Sequence, residues 1–205
     1  SLVSSALIEC EIVIHLAASV GVGQSQYQIE DYTSVNCLGT AILLEEIIKL
    51  EGQIKKIIVA SSMSVYGEGM YKNINDEIVF PNPRNINQLN KSQWELIDKN
   101  LNPLSPIETH EKKPLMPESV YAINKRDQEE MCLIIGKAYN IPVVAFRMFN
   151  VYGPGQIINS PMSAVIGIFF QVMLFFFKVA LISPFIQLAI SFTELDGASF
   201  NSDSK

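Results

Sequence analysis

Cysteine, histidine and basic charge are all scarce in this chain, and each scarcity removes a class of function. Three cysteines, Cys10, Cys37 and Cys132, stand far apart with no C-x-x-C pair, and His15 and His110 are the only histidines. A zinc site needs several such ligands at short spacings, so no metal is expected. An odd, unframed set of cysteines also points to a reducing compartment, hence the cytoplasm. Fifteen Lys and Arg stand against 21 Asp and Glu, a net charge of -6. A nucleic-acid binder needs the opposite balance to neutralise phosphates, so no nucleic-acid partner is expected. The opening SLVSSALIECE lacks the basic start and long apolar stretch of a secretion signal. It also lacks an initiator methionine, which leaves a fragment of a longer protein in view.

Charge is missing most completely from residues 162–192, where Lys178 is the single charged side chain. The uncharged stretch 162–177 falls short of the roughly 18 to 20 apolar residues of a membrane span. Lys178 near the middle of the whole run would be costly in lipid. Two buried segments, or sequence foreign to the domain, are the readings left open, and membrane association is not favoured.

What is present alternates between two periods. Residues 11–18 form a short apolar run rich in β-branched side chains, a buried strand. In 29–50, Tyr32, Val35, Leu38, Ile42, Leu43, Ile47 and Leu50 return every three or four residues, a helix that Gly52 stops. Residues 54–60, IKKIIVA, predict a second strand running into Ser61, Ser62, Met63 and Ser64. Residues 67–117 hold many Pro, Gly and Asn and predict a long irregular excursion with one short helix over 92–99. A helix is predicted over 120–139, opened by Pro117, Glu118 and Ser119 and ended by Asn140 and Pro142. A third strand follows over 143–149. Continuously apolar strands separated by helices predict an α/β fold: a parallel sheet with helices on both faces.

Ligands of such sheets sit at the carboxyl ends of the strands. Ala17, Ala18 and Ser19 fall there after the first strand, Ser61 and Ser62 after the second, Phe149 and Asn150 after the third. Tyr121 and Lys125 stand one turn apart on one helix face. Singly these are ordinary turn and packing residues. Together they make an acid–base pair. An unperturbed tyrosine, with a pKa of about 10, is seldom ionised at neutral pH, and a neighbouring ammonium favours the phenolate.

Five ordered blocks over residues 8–157, HLAA, VNCLGT, SSMSVYG, YAINK and RMFNVYGP, resemble the extended short-chain dehydrogenase/reductases. These are the NAD-dependent nucleotide-sugar epimerases and dehydratases. The resemblance implies a Rossmann-like domain, NAD as cofactor and a nucleotide-diphosphate sugar as partner, and it leaves a homodimer open for the complete enzyme. By position, Tyr121 resembles the general base. Lys125 resembles the residue that lowers its pKa and holds the nicotinamide ribose hydroxyls. Ser62 resembles the hydroxyl bridging sugar and tyrosine. Leu16, Ala17, Ala18 and Ser19 match the turn under the cofactor, Asn36 a side chain shaping that site, and Ser61 a cofactor neighbour. Phe149 matches a residue near the nicotinamide, and Asn150 one near the sugar diphosphate. Sugar 4,6-dehydratases follow the serine or threonine with an Asp-Glu pair. Met63 and Ser64 stand there instead, which favours a 4-epimerase. Residues 20–29, 60–71 and 121–132 look most like dTDP-L-rhamnose 4-epimerases and related nucleotide-sugar epimerases. A 4-reductase or dehydrogenase stays open. His15 reads as a residue ordering backbone, Trp94 as a loop anchor, 126–130 as a solvated helix face, and Arg147 as a structural ion pair or an anion ligand.

Two departures accompany the match. The family begins with a strand, a G-x-x-G-x-x-G turn and a helix that receives the pyrophosphate. Here Gly21, Val22 and Gly23 follow a later strand and are not that turn. About 60 opening residues of such a domain are missing, so 1–157 is expected to be a partial NAD(P)-binding domain without its first βαβ unit, binding NAD weakly. Residues 158–192 then replace the expected substrate domain, and 193–205 read as a polar, disordered tail. A truncated or frame-shifted product is one expectation. The rival is a non-catalytic remnant held to a membrane or a partner through 162–192.

Overall fold

The computed structural model describes residues 2–151 together with Gly153, Phe169 and Met173. Apart from those last two positions, the expectations for 158–192 and 193–205 lie outside the described residues. The chain divides into two compact units, Ser1–Phe149 and Asn150–Lys205. In chain order the elements are α1 (Leu2–Leu7), β1 (Ile12–His15), α2 (Val22–Ser25), α3 (Ile29–Thr33), a π-helical turn (Ser34–Leu38), α4 (Gly39–Lys49), β2 (Lys56–Ser62), a 3-10 turn (Met63–Tyr66), β3 (Met70–Lys72), β4 (Ile78–Val79), α5 (Ile86–Asn90), β5 (Ser105–Ile107), α6 (Val120–Ala138) and β6 (Val143–Met148). Among the described residues no helix is long and apolar enough to cross a membrane.

The main sheet is parallel, in the order β1-β2-β6. Val13, Ile57 and Val59 on one face pack with Leu44, Ile47, Cys132 and Ile141 into a buried core. The side chains between them in sequence point the other way, and Ile12, Ile14, Phe146 and Met148 are exposed. Among the described residues the helices α4 and α6 therefore cover one face of the sheet. The cover expected on the second face is not among those residues. A continuously apolar strand does not itself tell which face is covered.

Helix α6 starts where Ser119 Oγ accepts the Ala122 N–H at 3.0 Å, satisfying one of the helix's free donors. Its buried side is more than half polar: Ala122, Asn124, Lys125, Gln128, Glu129, Cys132 and Gly136. Residues 126–130 are thus not a uniformly solvated face. Arg126 and Glu130 pair at 2.7 Å on the outer side, while Gln128 and Glu129 point inward. Near the helix end a Cβ on Gly136 would run into Val143 Cγ2 and sit 2.7 Å from the Ile141 carbonyl oxygen. Gly136→Ala is expected to cost about 2 kcal/mol through overpacking, read as a lower urea midpoint at unchanged slope.

The excursion is more regular than its composition predicts. Strands β4, β3 and β5 form a small antiparallel sheet in that order. The short helix lies at Ile86–Asn90 rather than over 92–99. Asn85 Oδ1 caps it by accepting the Gln88 N–H at 2.8 Å, and Ser92, with φ at 56°, lies in the left-handed region. Gly67 opens the excursion at φ 65°, with the Met116 carbonyl where a Cβ would stand. The Met116 N–H bonds the Val65 carbonyl at 3.0 Å, so the chain leaves and returns through one point. Lys113 closes it: its buried ammonium donates to the Tyr66 carbonyl at 2.6 Å and lies 5.3 Å from the Phe80 ring centre.

Candidate active site

The strand ends are staggered. Val59 pairs with His15, the last residue of β1, whereas β2 runs on beside β6 until Ser62 faces Met148. Beyond Val59, β2 has a ladder neighbour on its β6 side only. The chain leaving β1 turns through Leu16, Ala17, Ala18 and Ser19 beside this open edge. Asn36, fully buried, pins that turn: its Oδ1 accepts the Ser19 N–H at 2.7 Å and its Nδ2 donates to the Ser19 carbonyl at 3.1 Å. The residue comes from the π-helical turn, a local widening of the helix found often at functional sites.

Ser62 is buried at the end of β2. Its Oγ accepts the Ser64 N–H at 3.2 Å and donates to Ser64 Oγ at 3.2 Å, starting the 3-10 turn. Ser61, one residue earlier, is buried, and its hydroxyl has no hydrogen-bond partner among the described residues. Phe149 is exposed past the end of β6, and Asn150, the first residue of the second unit, is exposed too.

Tyr121 is half-buried in the first turn of α6, and among the described residues no hydrogen bond reaches its hydroxyl. Lys125, one turn on, is only 3% exposed and donates to Gln128 Oε1 at 2.8 Å. Burial pushes its pKa down to about 8, opposed weakly by Cys132. Burial also holds His15 below its ordinary value, and the Lys125 charge lowers it further. His15 orders side chains rather than backbone: its Nε2 lies 2.8 Å from Thr40 Oγ1. Arg147 is an internal ion-pair residue, bound to Glu129 at 2.6 Å. The Trp94 ring is exposed rather than an anchor.

Hydrogen bonds thus join the turn at Ala17 to Ser19, Asn36 and Lys125, with Tyr121 on the same helix face as Lys125 and Ser62 at the adjacent strand end. Gln128 and Thr40 complete this network and were not predicted as site residues. The spacing 121, 125, 128 carried the signal, since i, i+4 and i+7 share a helix face.

The sequence profile described as the NAD dependent epimerase/dehydratase family matches residues 3–174. The dTDP-L-rhamnose 4-epimerase of Burkholderia thailandensis is 34% identical over 159 residues, covering 78% of this chain and 43% of that protein. The dTDP-D-glucose 4,6-dehydratase of Dictyostelium discoideum is 32% identical over 146 residues, 71% of this chain and 28% of its own length. A solved UDP-N-acetylglucosamine 4-epimerase from Methanobrevibacter ruminantium, in complex with UDP-N-acetylmuramic acid, superposes with a TM-score of 0.61 at 28% identity. That match covers 85% of this chain and 44% of that one. The chain therefore spans less than half the length of each of these relatives.

Proposed function

The chain belongs to the NAD dependent epimerase/dehydratase family, and from that premise we propose that it carries the acid–base wall of a nucleotide-sugar 4-epimerase. The observation behind this reading is the set of Tyr121, Lys125 and Ser62 beside an open strand end, with Met63 and Ser64 following the serine. Neither of those two can supply a second carboxyl acid or base, which disfavours dehydration.

The residues fit the nicotinamide half of the family's cofactor. Alanines at 17 and 18 leave the turn low, and the Lys125 ammonium has spent one of its three donors on Gln128. Two remain for ribose hydroxyls, to be placed by Asn36, Leu16–Ser19 and, by position, Ser61 and Phe149. When bound, NAD supplies the hydride acceptor and donor. Tyr121 takes the proton of the sugar C4 hydroxyl during oxidation and returns it during reduction. Lys125 places its positive charge one turn away on the same helix face. Ser62 holds the sugar oxygen near the tyrosine, and Asn150 is assigned to the diphosphate side.

The test is to incubate the protein with NAD and a dTDP-6-deoxysugar and follow the sugar by proton NMR. Equilibration of two 4-epimers without net NADH is the expected result. A 4-keto product with matching net NADH would make it a dehydrogenase; a 4-keto-6-deoxy product formed with loss of water from a dTDP-hexose that keeps its C6 hydroxyl would make it a dehydratase. No conversion combined with no NAD binding would favour the non-catalytic reading.

A further inference from the structure

Lys125 carries its ammonium into a place nearly closed to water, and three elements converge on its partner. Gln128 of α6 is fully buried. A lysine only donates, so the Gln128 amide oxygen must be the atom facing Nζ at 2.8 Å. That fixes the amide nitrogen on the opposite side. There it lies 2.8 Å from Thr40 Oγ1 of α4, 3.3 Å from the Ala17 carbonyl after β1 and 3.2 Å from His15 Nε2. Thr40 has one proton, and at 2.6 Å the Asn36 carbonyl takes it. Thr40 Oγ1 is therefore an acceptor toward both Gln128 and His15. The protons around Thr40 then close in one way: His15 carries a hydrogen on Nε2, aimed at Thr40, and Gln128 gives its two hydrogens to Thr40 and Ala17.

We propose that Gln128 is the positioning residue for Lys125, its carboxamide locked by Thr40 and the Ala17 carbonyl so that its oxygen sets the place and direction of the ammonium. The consequence is that the cofactor turn and the lysine are held to one another through a single side chain. The titratable groups around Lys125 are His15 from β1 and, from α6, Cys132 and Tyr121 one turn away, while α4 contributes the neutral Thr40. The functional meaning rests on the catalytic reading of Lys125 given above, but the hydrogen-bond relay does not.

The test is an NMR titration of lysine side chains, labelled at Cε and Nζ, in the full chain, with Lys125 assigned by its loss in Lys125→Met. Gln128→Glu replaces a neutral acceptor with a charged one and should raise the Lys125 midpoint by about one pH unit or more. Gln128→Met removes the acceptor and should lower it. Thr40→Val leaves Gln128 in place but unlocks its amide, and should broaden or lower the Lys125 titration. If Gln128→Glu fails to fold, the other two variants decide. Midpoints within about 0.2 pH unit of the parent in Gln128→Met and Thr40→Val would overturn the proposal; that margin is small beside the one-unit change above. These titrations need neither sugar nor turnover, so failure of the epimerase reading shows only in the sugar assay.

Discussion

Replacing Glu129 with alanine will destabilise the protein by about 3 kcal/mol, and the loss will show as a lower urea midpoint and a melting temperature reduced by roughly 6 to 12 °C. Glu129 is 3% exposed and receives the Arg147 guanidinium through Nε, at 3.2 and 3.1 Å, and Nη2, at 2.6 Å. The same arginine donates from Nη1 to the Tyr66 hydroxyl and the Glu111 carbonyl, both at 3.0 Å, and lies 5.0 Å from the Tyr66 ring centre. One pair thus ties α6 to β6, to the turn after Ser62 and to the returning arm of the excursion. Removing a partner from a buried pair costs about 3 to 5 kcal/mol because it strands the other charge. The lower end applies here, since Arg147 keeps two acceptors and some exposure to water.

The pH dependence has a fixed sign. Burial pushes the Glu129 carboxyl up, but the Arg147 hydrogen bonds and charge outweigh it and bring it below the ordinary 4.5. A carboxyl lowered on folding stabilises the native state above its unfolded pKa, and that contribution disappears as pH falls through the folded value. The stability gap between the parent and Glu129→Gln should therefore be full at pH 7 and shrink below about pH 4.5. Equal midpoints for parent and Glu129→Ala at pH 7 would show that the pair does not hold these elements together.

Much of this arrangement was legible where local chemistry decides structure. Ser119 before an apolar-periodic run announces α6, and Asn140 and Pro142 announce its end. Apolar length marks β2 two residues early, because the hydrophobic run reports burial. The ladder continues through the small polar Ser61 and Ser62, which β6 pairs at Arg147 and Met148. The strands of the excursion, two or three residues each, are too short to show a period of two. The buried polar residues were the hardest to read. Gln128 and Glu129 look like part of a charge run, and what takes them inside is far away in sequence: Thr40 for the first, Arg147 for the second. Only the helical stripe through Ala122, Lys125, Glu129, Cys132 and Gly136 could have separated them from Arg126 and Glu130.

Tyr121→Phe is expected to lower the turnover of 4-epimerisation by about 10²- to 10⁴-fold with little change in KM, the usual range for removing a positioned acid–base group. The substitution isolates chemistry from folding. The ring stays in the first turn of α6, and the lost hydroxyl has no hydrogen-bond partner among the described residues, so the melting temperature should not move. Ser62→Ala is a less clean probe, because Ser62 Oγ also receives the Ser64 N–H that starts the 3-10 turn. The pH profile adds a second discriminator. With burial bringing Lys125 to about 8, the positive charge beside the proposed acid–base site is lost as pH rises through that value. Parent turnover should then decline on the alkaline side, and Tyr121→Phe, having lost the proposed acid–base group, should not follow the same limb. A Tyr121→Phe variant that binds NAD and sugar and still keeps more than about a tenth of the parent turnover would remove Tyr121 from the reaction, since a tenth is far above what survives loss of a catalytic base.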